Sequence, residues 1–147
     1  SCERSGISEE AFFTPLAAIG VPENAVEYFY NYRLLRLKKG YGLLFFGDQK
    51  GVPGIMTGLI AALLRNYVDA ALCTFETAIS DNVRYRSVLA IPDFYLQAPN
   101  QWRSDKMLTL LVERESKQLQ TIVSFADSLD PPEVMKSLTH NYVLVER

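Results

Sequence analysis

Residues 47–54 read GDQKGVPG and stand between the apolar runs YGLLFF at 41–46 and IMTGLIAALL at 55–64. A strand, a glycine turn and a helix in that order point backbone N–H groups at whatever lies before the helix, and an anion suits such groups. Lys50, Gly51, Gly54 and Thr57 are the ligand contacts this arrangement nominates. A nucleotide P-loop needs G-x-x-x-x-G-K-[ST], whose Lys meets the terminal phosphates and whose hydroxyl holds magnesium. Here GLLFFGDQ supplies glycines at 42 and 47 and then Asp48 and Gln49, so the charge facing the phosphates has the wrong sign. The dinucleotide fingerprint G-x-G-x-x-G fails as well, because Gly51, Gly54 and Gly58 are spaced by three and four. A turn that uses glycines for positive dihedrals accounts for the same letters. The loop is therefore read as a tight connection at the ligand-prone end of a sheet, without a nucleotide-hydrolysis apparatus.

Other chemistry is scarce. His140 is the single histidine, in LTHNY between a helix and a strand, and the two cysteines, Cys2 and Cys73, are far apart. One imidazole and two distant thiols cannot furnish the three or four soft ligands of a zinc site. A Cys73–His140 nucleophile–base pair has no local signature to support it. Glu113 and Glu115 are two apart on a helix and diverge. Asp127 and Asp130 follow a strand, where parallel sheets bind ligands, yet helix capping explains Asp130. No catalytic residue and no metal ligand is assigned. The stretch EYFYNYRLLRLKK, residues 27–39, sets Tyr28 and Tyr32 beside Arg33 and Arg36, residue types enriched at interface hot spots. With Trp102 and Arg103 they make up the expected protein-contact surface.

Composition narrows the classes further. The 147 residues are 48% hydrophobic and 22% charged with a formal charge of −2, which disfavours general attraction to nucleic acid. That length suits one domain with its own core. Two separated cysteines make no disulfide framework, and a reducing, intracellular compartment is expected. The apolar runs fall short of the roughly 20 residues that span a bilayer, so a soluble chain is expected. SCERSG lacks the charged start and apolar stretch of a signal peptide, and NYVLVER reads as a strand to the last residue, so the chain is read as a trimmed piece of something longer.

GIMTGLIAALLRNYVDAALC, residues 54–73, resembles the Gly-[Ile/Val]-Val-Thr helix and following acid-Gly/Ala-Ala strand in the beta subunits of deazaflavin-reducing hydrogenases and the related chlorophyll-cycle reductases. RSVLA, residues 86–90, is similar to the next strand there. The resemblance covers about a quarter of the chain, and TIVSFADS carries none of the cysteines that hold iron–sulfur clusters in that family. It implies a flavin-binding fold relative without clusters.

The elements that must position these residues follow from periodicity. Ser8-Glu9-Glu10 starts a short helix that Pro15 interrupts. Pro22 at the first helical position and the cations before Gly40 bound a helix over 22–38, with Val26, Phe29, Tyr30, Leu34 and Leu37 inward. Residues 41–46 lack alternation, as a strand covered on both faces does, and 54–66 is a helix apolar nearly all round. Residues 69–76 and 84–91 read as strands that could pair as a hairpin, 98–118 as a helix with a solvated tail ERESKQ, and 121–125 as a strand. Asp130-Pro131-Pro132-Glu133 opens a helix to Leu138, and 142–145 closes as a strand. Strands alternating with helices give an α/β domain: five strands, mostly parallel, with helices on both faces. Residues 1–20 are expected at its periphery. The expected function is a non-catalytic domain acting through protein contacts, with a protein partner or a second copy of itself and no cofactor. The alternative is a domain that binds flavin or another anionic small molecule at residues 47–54.

Overall fold

The structure, a computed structural model, describes residues 5–23, 25–27, 29–30, 42–94, 101–126 and 142–147, residues 125 and 126 by their backbone alone. Five strands form one sheet in the order β2-β3-β4-β1-β5. They are β1 (Gly42–Gly47), β2 (Ala70–Leu72), β3 (Val88–Ala90), β4 (Gln120–Ala126) and β5 (Tyr142–Glu146). Every pairing among them is parallel. The helices are α1 (Glu9–Phe13), α2 (Val52–Arg65), α3 (Phe75–Ser80) and α4 (Gln101–Ser116). Backbone at 23, 25–27 and 29–30 is also helical, the described part of the helix read over 22–38.

The unbroken apolar run of β1 is buried on both faces, as its lack of alternation requires. Leu44 is 1% exposed and Phe45 is fully buried, and they belong to different cores. Leu43 and Phe45 pack with Ile55, Met56, Leu59 and Ile60 of α2, whereas Leu44 packs with Phe75 of α3 and Met107, Leu110 and Leu111 of α4. The two-sided α/β arrangement follows from that split.

The segment expected at the periphery is seated on α2. Ser8 caps α1 by accepting from Ala11 N–H at 3.1 Å, and the helix ends before Pro15. Arg65 donates to the carbonyls of Phe12 and Thr14, and Ile7 enters the core. A Cβ on Gly58 would lie 2.4 Å from Ile19 Cδ1, so the missing side chain lets the N-terminal segment close on the helix.

Two local readings are corrected. Residues 69–76 are not one strand: β2 ends at Leu72, and Thr74 caps α3 by accepting from Thr77 N–H at 3.3 Å. Because α3 crosses over between them, β2 and β3 pair in parallel and no hairpin forms. The tail of α4 is not wholly solvated either. Arg114, within ERESKQ, is 1% exposed and fills a gap between the turn before β3 and the start of β4. Its guanidinium donates to the carbonyls of Arg84, Arg86 (2.9 Å) and Gln120 (2.7 Å), and to Thr121 Oγ1 at 2.9 Å. The helix expected over 131–138 lies outside the described residues, as do His140, Asp127 and Asp130.

Candidate functional site

The loop between β1 and α2 lies at the carboxyl end of an interior strand, where open parallel sheets bind ligands. Gly47 and Gly51 have φ of 91° and 79°, the left-handed region where glycine is favoured. At Gly47 there is also no room, since a Cβ would stand 2.6 Å from the Arg147 carbonyl oxygen. The turn is closed by its own bonds. Asp48 Oδ1 accepts from Lys50 N–H at 2.9 Å, Gln49 Nε2 donates to Gly47 O at 3.1 Å, and Arg147 Nη2 donates to Lys50 O at 3.0 Å.

An anion cradle needs free N–H groups in the first turn of the helix, and each can be followed. Val52 N–H donates to Gln49 O at 3.2 Å, Pro53 has no N–H, and Ile55 N–H donates to Gly51 O at 3.1 Å. Gly54 keeps the remaining donor of that turn. Lys50 is exposed, and Thr57 turns its hydroxyl back onto Pro53 O at 2.9 Å. The four nominated contacts therefore border one loop but present few groups to a ligand. Because residues 42–47 are the strand itself, the P-loop register that the fold presents begins at Gly47. Counted from there, Val52, Pro53 and Gly54 stand where the Gly, Lys and Ser or Thr of G-x-x-x-x-G-K-[ST] belong. Neither the phosphate-binding cation nor the magnesium-binding hydroxyl is present in that register.

Of the contact-surface residues, Tyr28, Tyr32, Arg33 and Arg36 lie outside the described residues. Trp102 is 60% exposed. Arg103 is engaged within the fold: it pairs with Glu76 Oε1 at 2.9 Å, donates to Asp93 O at 2.9 Å, and lies 4.3 Å from the Phe75 ring centroid. Phe75 N–H in turn donates to Asp93 Oδ1 at 2.8 Å, so this group ties α4 and α3 to the turn after β3. Its own backbone N–H and then the Arg103 guanidinium hold the Glu76 carboxyl below the usual carboxylate range. The sequence signal for this tie was absent, since the partners are 27 and 10 residues away.

Cys73 is half-buried, and burial, then the Asp93 charge, push its thiol up to about 11, which holds it protonated at neutral pH. Among the described residues no group of three His, Cys, Asp or Glu side chains could hold a metal ion, and no helix is long and apolar enough to cross a membrane.

No protein-family model matches the chain, and no curated protein matches it in sequence. Solved structures match in fold. The DnaC helicase loader superposes with a TM-score of 0.63 at 14% identity, over 95% of this chain and 99% of its own. DnaA from Aquifex aeolicus with AMPPCP bound gives 0.62 at 13% identity, covering 90% of this chain and 49% of that one. A DNA replication initiation factor gives 0.61 at 13%, with 90% and 48% covered. The chain thus spans about half the length of these two. At such identities the likeness is one of fold, the five-stranded parallel α/β sheet.

Proposed function

We propose that this chain is a non-hydrolysing α/β module that acts through contacts with other protein chains in an assembly of the replication kind. The observation that carries the reading is the β1–α2 loop: the fold is one that DnaA presents with AMPPCP bound, yet here Pro53 and Gly54 replace the lysine and hydroxyl, and Asp48 faces the turn. A fold kept without its phosphate machinery fits a structural or contact role. The exposed aromatics fit it too. Tyr67 has φ of 62°, at the helix C-terminal position where glycine is favoured, and its side chain is 98% exposed. A bulky ring kept at a backbone position that disfavours it, with nothing to pack on, suits an interface anchor. Trp102, with Tyr28, Tyr32, Arg33 and Arg36, belongs to the proposed contact surface, and the formal charge of −2 favours protein over DNA as its direct ligand.

The second reading is an anionic small molecule at Lys50, Gly51, Gly54 and Thr57, and the AMPPCP-bound neighbour favours a nucleotide over a flavin there. One set of measurements separates the two. Titration calorimetry of the wild-type protein with ATP and with FMN is expected to give no heat. A pull-down from the native source is expected to lose partners in Tyr32→Ala/Arg36→Ala, since interface anchors are worth about 2 kcal/mol or more in binding while exposed positions seldom cost more than about 0.5 kcal/mol in folding. ATP binding that Gly54→Asp abolishes, with partner sets unchanged, would overturn the contact reading.

A further inference from the structure

The sheet ends on one side at β2, whose outer edge meets the N-terminal segment. Val88 N–H donates to Asp69 O and Cys73 N–H to Ala90 O, both at 3.0 Å. In the parallel ladder Asp69, Ala71 and Cys73 therefore turn their peptide groups to β3, while Ala70 and Leu72 turn theirs outward. Outward N–H and C=O groups on an edge are a template for a further strand. Ala70 O is taken, accepting from Arg86 Nη2 at 3.2 Å. No described residue hydrogen-bonds the N–H or C=O of Leu72. Gly6 lies on that peptide instead, so close that a Cβ would stand 2.0 Å from the Leu72 carbonyl oxygen and 3.1 Å from its carbon.

The cover is lightly fastened. Ser5, 1% exposed, accepts at Oγ from the same Arg86 Nη2 at 2.8 Å, and Arg86 is steadied by its ion pair with Asp69 at 2.9 Å. From Ile7 onward the segment is held by other means: Ile7 is in the core, and Arg65 binds the carbonyls of Phe12 and Thr14. Among the described residues, Ser5 and Gly6 thus depend on the one hydrogen bond to Arg86. Gly6, Leu72 and Arg86 also border a cavity of about 510 Å³, with Cys73, Thr77 and Asn82 across it, which leaves room beside the edge.

We propose that Ser5 and Gly6 are a latch on the β2 edge: closed, it keeps Leu72 from strand pairing, and drawn aside, it lets Leu72 exchange N–H···O=C bonds with Leu72 of a second copy about a two-fold axis. A second copy is the occupant because the covered unit is one residue whose donor and acceptor point the same way, which an antiparallel copy of itself satisfies in full. Ala70 O stays with Arg86 throughout, since a pair centred on Leu72 sets Ala70 opposite Thr74. A pair of hydrogen bonds makes a weak joint, so the pairing rises with concentration. The device is independent of residues 47–54 and of the contact surface proposed above.

Gly6→Val opens the latch, because valine fits neither a φ of 72° nor the space above Leu72 O. Gly20→Val is its control: Gly20 has φ of 69° with nothing within 4 Å, so the variant carries the backbone strain without the clash on β2. Sedimentation velocity over a range of concentrations is expected to show Gly6→Val self-associating on the order of tenfold more tightly than the wild-type protein or Gly20→Val, the weight of one charge-assisted hydrogen bond. Leu72→Pro added to Gly6→Val should restore the wild-type value, since proline removes the outward N–H and spares the ladder to β3. Hydrogen exchange at the Leu72 amide, followed by NMR, should slow on the order of tenfold as Gly6→Val is concentrated, and not in Gly20→Val. Should Gly6→Val not fold, Ser5→Ala, which cuts only the fastening, is read in the same way. An unlatched chain no more associated than the wild type, association shared by Gly20→Val or surviving Leu72→Pro, or a Leu72 amide indifferent to concentration would overturn the proposal.

Discussion

Gly51 and Gly54 sit three residues apart at the junction of β1 and α2, and the sequence offered no way to tell them apart. Their environments differ. Gly51 is the helix N-cap at φ 79°, whereas Gly54 lies inside the helix with nothing within 4 Å of the position a Cβ would take. A left-handed backbone costs an L-residue about 1–2 kcal/mol. An unobstructed alanine in a helix gains up to about 1 kcal/mol over glycine. Gly54→Ala is therefore expected to raise the urea midpoint and Gly51→Ala to lower it. A shared sign in the two denaturation curves would mean that the loop backbone is not as described. The same pair explains why the phosphate question could be posed from sequence but not answered there: spacing of glycines is legible, whereas which N–H groups are already taken depends on Gln49 O and on Pro53 standing at one particular turn of the helix.

At the scale of elements, long periodic or unbroken apolar segments were legible and short ones were not. The run 41–46 and the helix after it declared themselves because nearly every position is buried. DAALCTFE did not, because a short apolar run suits a buried strand and a buried helix segment equally. The signal that could have divided it is Thr74 followed by Glu76, an N-cap and a first-turn acid. Arg114 was missed for a different reason. A charged residue near a helix end reads as solvated, and its four acceptors come from two other segments. Removing it leaves the buried Gln120 carbonyl and the part-buried carbonyls of Arg84 and Arg86 without this donor, and each unsatisfied buried group costs about 1–3 kcal/mol. Arg114→Met is expected to destabilise by roughly 3 kcal/mol or more in urea unfolding. Arg114→Lys should recover little, because a single ammonium cannot reproduce the planar fork. Val112→Ala, on the exposed face of the same helix, should stay within about 0.5 kcal/mol. A mild Arg114→Met would mean that the helix end and the start of β4 are not joined through this side chain.

For the whole molecule, the sheet is held by two cores, one on each face, and by polar ties between the layers. One such tie runs through the foot of the sheet. Gly42 in β1 leaves room for the Tyr142 ring, since a Cβ there would meet that ring at 2.8 Å and the Thr121 carbonyl oxygen at 2.1 Å. Tyr142 is partly buried, and its phenol oxygen is hydrogen-bonded with the side chain of Thr121, whose Oγ1 accepts from Arg114. Burial, only partly offset by the Thr121 hydrogen bond, pushes the phenol from 10.0 up to about 12, and burial foremost pushes the Cys73 thiol from 9.0 up to about 11. Both groups are neutral when protonated, and the folded state holds their protons more tightly than the unfolded one. Their contribution is therefore complete below the unfolded values and lost as pH rises through the folded ones. Stability should accordingly fall on the alkaline side, the thiol acting between pH 9 and about 11 and the phenol between pH 10 and about 12. The urea midpoint followed across that window is expected to decline more steeply for the wild-type protein than for Cys73→Ser/Tyr142→Phe, whatever the other tyrosines and lysines contribute to both. Parallel curves would mean that neither group is held from water in the folded state. A difference confined to the upper part of the window would assign it to Tyr142, and so to the closure of β1, β4 and β5 around Gly42.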